Sequence, residues 1–75
     1  MENTSKKEIL DNLLNAVNTE ITKAQVEIEI HSEILKSDFI PEEMQITQRK
    51  IETFNKNLEY LEKRKEAILK ILKAQ

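Results

Sequence analysis

A run of apolar residues stepping by four and three leaves a chain few folds to choose from, because a period of 3.5 is the spacing of helices wound face to face. From Leu10 the run passes through Leu14, Val17, Ile21, Ala24, Ile28 and His31 to Leu35, stepping 4-3-4-3-4-3-4. A second run, Met44, Thr47, Ile51, Phe54, Leu58, Leu61, Lys65, Ile68 and Leu72, steps 3-4-3-4-3-4-3-4. Between them lies Lys36-Ser37-Asp38-Phe39-Ile40-Pro41, where Pro41 lacks an N–H and disfavours the α region at Ile40. The fold class this predicts is all-α: an antiparallel, coiled-coil-like helical hairpin forming one domain over residues 1–75. Helix 1 is expected at about 6–36, the turn at 37–40 and helix 2 at about 41–73.

The ends carry their own signals. Ser5-Lys6-Lys7-Glu8 has the form of a capping box, in which the hydroxyl and the carboxylate each satisfy a backbone N–H of the first turn. Pro41 suits the first position of helix 2, and Glu42 and Glu43 then sit at the positive end of its dipole. Phe39 and Met44 fall at the spacing of a hydrophobic staple. Pairing positions whose numbers sum to about 75 to 79 sets Phe54 beside either Ile21 or Ala24, and the sequence leaves both registers open.

Composition closes off several chemistries. With no glycine among the 75 residues there is no phosphate-cradling loop or nucleophile elbow, since those turns need a backbone free of Cβ. With no cysteine there is no disulfide, thiolate-held metal or thiol catalysis. No apolar stretch approaches the length of a membrane span or a signal-peptide core, so a soluble chain that keeps its N-terminus is expected, in the cytoplasm by default. Ten Lys against two Arg, ten Ile and six Asn suit an AT-rich coding source such as a low-GC bacterium, a phage or another mobile element, and a phage origin would place the protein in the host-cell cytoplasm.

A two-helix chain of this size hides little apolar surface by itself, and with disulfides absent and no metal site in view, self-association is the remaining staple. The apolar pattern agrees. Away from the turn the apolar faces broaden to Ile9, Leu10, Leu13 and Leu14 on helix 1 and Ile68, Leu69, Ile71 and Leu72 on helix 2. Two helices cannot cover all eight. A second stripe, Val26, Ile30 and Ile34, stands to one side of the main seam near the turn, and Ile46 joins it from helix 2. A seam flanked by such positions is what a four-helix bundle built from two copies requires. The layout resembles the general class of small dimeric four-helix-bundle proteins and two-helix chaperone or inhibitor subunits, without a residue motif that ties it to one family.

Three polar residues interrupt the seams. His31 has Ile28, not Glu, three residues before it, so the Glu-x-x-His ligand pair of dimetal bundles is missing and a hydrogen bond to Thr47 or a glutamate is expected instead. Lys65 sits between Leu61 and Ile68, where a lysine sets register or extends its ammonium to water. Both are also candidates for contact with a ligand. Thr47 reads as a register-setting layer near the turn. Tyr60 lies beside the seam and is a candidate interface aromatic.

Charge is uneven although the net value is only −2. Lys63, Arg64, Lys65, Lys70 and Lys73 make the open end basic, while Glu20, Glu27, Glu29, Glu33, Asp38, Glu42 and Glu43 make the turn end acidic. Few arginines and aromatics and a pI near 5.4 argue against nucleic-acid binding, and lysines in the last turn complement the helix dipole without any ligand.

The function expected is that of a small non-enzymatic interaction module, a regulator, inhibitor or adaptor, whose partners are a second copy of itself and another protein. Its interface would use Ile9, Leu10, Leu13, Leu14, Tyr60, Ile68, Leu69, Ile71 and Leu72, with Glu62, Lys63 and Arg64 as rim charges. No cofactor, metal or membrane is implied. A nucleic-acid-associated dimer using the basic end of helix 2 is the alternative, and a small-anion or nucleotide site between subunits is a second.

Overall fold

The computed structural model describes residues 5–37 and 40–75. It is all-helical, with α1 at Lys6–Leu35 and α2 at Pro41–Lys73 packed against each other as a hairpin. At about 1.5 Å per residue the helices are some 45 and 50 Å long, which gives the molecule its extents of 58 × 23 × 14 Å. The radius of gyration is 17.3 Å, against about 11 Å for a globule of this length. A slab one helix thick has no deep interior, and among the described residues no side chain is fully buried.

Local chemistry sets each helix end. Ser5 is extended, its Oγ accepts the Glu8 N–H at 3.1 Å, and the Glu8 carboxylate accepts the Ser5 N–H at 3.2 Å, so both halves of the capping box are present. Ser5→Ala removes the hydroxyl and is expected to cost about 1 kcal/mol. Thermal unfolding followed by circular dichroism checks this, with the midpoint falling by about 4–8 °C. At the other end of α1, Lys36 is the C-cap, not the last helical residue, because its N–H turns back to the Glu33 and Ile34 carbonyls and tightens the final turn. No described residue takes a positive φ.

Helix α2 begins without a side-chain cap. Ile40 is extended at the N-cap and Pro41 follows at the first helical position, where the missing N–H costs no hydrogen bond. Glu42 and Glu43 in the first turn and Lys70 and Lys73 in the last oppose the dipole at both ends. The proposed Phe39–Met44 staple lies outside the described residues.

The seam is filled unevenly. Leu10, Val17, Ala24, Leu61 and Ile68 form the buried cluster, with Leu14, Ile21, Leu58 and Leu72 packed against it. This core occupies the middle and the open end. Among the described residues toward the turn only Thr47 is buried, while Ile28, His31, Leu35, Ile51 and Phe54 are half-buried and Met44 is exposed. The register differs from both alternatives read from sequence. The Phe54 ring lies 5.3 Å from that of His31, and Ala24 and Ile21 are about 10 and 15 Å farther along the axis. Phe54 thus belongs to the His31 level, nearer the turn, and Leu72 packs against the buried cluster at the open end.

Candidate functional site

The residues singled out in the sequence divide by the face on which they stand. Leu10, Leu14, Ile68 and Leu72 are held inside the hairpin, where the seam covers them wholly or in part. Ile9, Leu13, Leu69, Ile71 and Tyr60 remain exposed, from 37% at Leu13 to 60% at Tyr60. Near the turn Val26, Ile30 and Ile46 are exposed and Ile34 is half-buried. Ile40, which the sequence pattern did not mark, is exposed as well, because the N-cap stands before the first helical turn. Scattered exposed apolar residues are ordinary, but pairs at i and i+4 such as Ile9 with Leu13 and Val26 with Ile30 adjoin on one helix and make continuous patches.

The rim charges Glu62, Lys63 and Arg64 are exposed. Among the described residues the ion pairs are Lys7–Asp11, Lys23–Glu20 and Lys36–Glu33, each within α1 or its cap and each solvent-exposed, so they add little to stability. Lys65 is half-buried in the seam and joins none of these pairs, in keeping with an aliphatic stem packed between the helices and an ammonium carried to water.

His31 is tied down differently from the sequence expectation. Its Nδ1 lies 2.7 Å from the main-chain carbonyl oxygen of Glu27, and not against Thr47 or a glutamate carboxylate. A carbonyl only accepts, so Nδ1 carries the proton and donates, which fixes the ring's orientation one turn down its own helix. The ring also lies against Phe54, tilted at an interplanar angle of 49°. No group of three or more His, Cys, Asp or Glu is placed to hold a metal ion among the described residues.

Two open grooves run between the helices. One, of about 700 Å³, passes Ala24, Glu27, Phe54 and Asn57, with Glu20 and Lys23 also on its wall. The other, of about 480 Å³, is lined by Glu27, His31, Ile46, Arg49, Lys50, Thr53 and Phe54. Glu27 borders both, so they occupy neighbouring stretches of the hairpin. Arg49, Lys50 and Thr53 drew no attention in the sequence because they lie off the seam. Their spacing around Ile46 at i+3, i+4 and i+7 was the signal that they share its face of α2.

Among the described residues no helix is long and apolar enough to cross a membrane. No protein-family model matches the chain, and no curated protein or solved structure is significantly similar to it.

Proposed function

We propose that this chain is a small non-enzymatic interaction module, a helical hairpin that assembles with a second copy into a four-helix bundle and engages another protein as a regulator, inhibitor or adaptor. The observation that carries this reading is the surplus of exposed apolar side chains at the open end, Ile9, Leu13, Leu69 and Ile71, outside a seam already occupied by Leu10, Leu14, Ile68 and Leu72. Removing such groups from water is the main driving force for helix association. The basic rim at Lys63 and Arg64 would select partners and orientation by charge more than it would add affinity.

Light scattering on a sizing column across a dilution series, with helicity recorded on the same fractions, tests the proposal. The natural chain is expected at about twice its 8.8 kDa mass. The double variant Leu13→Glu/Leu69→Glu is expected to be monomeric and still helical, because both side chains point out of the hairpin seam. A natural chain that remains monomeric, or a double variant of unchanged mass, overturns assembly through the open end.

A further inference from the structure

We infer that the second copy lies antiparallel along an outward stripe of α1, with the two-fold axis crossing between Ile21 and Thr22. The inference rests on the reading of the chain as a self-associating hairpin and specifies how the two copies meet. One position before each seam residue of α1 runs a second track of the same 3.5 period, about 100° round the helix. It is apolar at both ends, with Ile9, Leu13 and Ala16 toward the open end and Ile30 and Ile34 toward the turn. Its middle is charged, with Glu20, Lys23 and Glu27 in succession. Ile9, Leu13, Ile30, Glu20 and Lys23 are all exposed.

The residue types along this track suit one mode of self-pairing. Antiparallel about its centre, Ile9 meets the partner's Ile34, Leu13 meets the partner's Ile30, and Glu20 meets the partner's Lys23, each twice by symmetry. Parallel pairing would set Glu20, Lys23 and Glu27 each against its own copy, stacking three like-charge contacts. The whole hairpin has the same preference. At the ends, Lys70 and Lys73 would stand near the level of the partner's Glu29 and the partner's Glu33, whereas parallel copies would bring like ends together; Lys63 and Arg64, level with Ile21 and Thr22, would lie near the axis.

The opposing side of α2 is suited to flank this contact. Ile46 and Lys50 share a groove with Glu27 of the α1 track, so they stand on the same face of the hairpin. Tyr60 lies two heptads beyond Ile46 and Ile71 three heptads beyond Lys50, which repeats those helical positions along α2. Both are exposed. The area is sufficient. The chain exposes 6021 Å², about 1,200 Å² more than the roughly 4,800 Å² of a compact monomer of its mass. A stable interface of standard size hides about 800 Å² per partner.

The chain has no cysteine, so single cysteines report on the geometry without interference. Ile9→Cys and Ile34→Cys variants, each alone under mild oxidation, are expected to stay uncrosslinked, and a mixture of the two is expected to give a disulfide-linked pair. A disulfide formed by Ile9→Cys with itself would mean parallel copies and overturn the inference, while leaving self-association intact. A monomeric mass for the natural chain would overturn the inference and the reading beneath it together. Charge supplies an independent arm that leaves the apolar positions untouched. E20K and K23E are each expected to weaken self-association at least about tenfold at low salt, and mixing them is expected to restore dimers, since every substituted contact then joins opposite charges. Dimers unaffected by either substitution would remove Glu20 and Lys23 from the interface and overturn the inference.

Discussion

Leu61→Ala is expected to lower the unfolding free energy by about 2–4 kcal/mol, the range for deleting most of a buried leucine when its surroundings collapse only in part. Leu61 is 8% exposed and belongs to the cluster with Val17 and Ala24 at the middle of the hairpin. A chain of 75 residues has about 4–11 kcal/mol of stability in all, so this one change would remove a large share of it. With only one layer of contact between two helices, few neighbouring side chains are available to move in. Denaturant unfolding at a fixed protein concentration measures the effect. A loss below about 1 kcal/mol would mean that α1 and α2 do not meet at Leu61, and the packing described above would be wrong.

Ala24→Leu is expected to destabilise by about 1–3 kcal/mol even though it adds apolar surface. Ala24 is 4% exposed, almost as buried as Val17, and belongs to the same cluster as Leu61 and Ile68. A leucine placed there has to displace the facing side chains or turn its added carbons out of the seam toward the open groove that Ala24 borders. Alanine and leucine have similar helix propensities, so the change isolates packing from local preference. Thermal unfolding of the variant beside the natural chain decides the point. A higher melting temperature would show that the groove beside Ala24 takes the added carbons without strain and would overturn the expectation.

Much of the fold was legible because its causes are local. The capping box needs only Ser5 and Glu8 at the right spacing, and Pro41 ahead of two acids marks the start of α2 without reference to α1. The seam residues follow from a 3.5 period, and those from Leu10 to Leu35 and from Thr47 to Leu72 are all buried or half-buried. Other parts were not legible. The sequence presents His31 as a polar residue in need of a partner, but the partner is a main-chain oxygen that the helix itself supplies at i−4, so no residue type announces it. The grooves at Glu27 were likewise hidden, since they arise between helices from residues that lie far apart in the chain.

The division between the two sources follows from the range of the forces involved. Periodicity and capping are written within a few residues, so the sequence alone determined two long helices, their ends, the turn between them and the face each presents. It marked Ile21 and Ala24 as equals on that face. The tertiary structure made Ala24 buried and Ile21 half-buried, and it set Phe54 against His31 instead of either expected neighbour. Sliding one helix along the other by a heptad leaves a repeating pattern nearly unchanged, so periodicity cannot choose among registers. Only the fit of particular side chains across the seam, a ring against a ring and the buried methyl of Ala24, separates them.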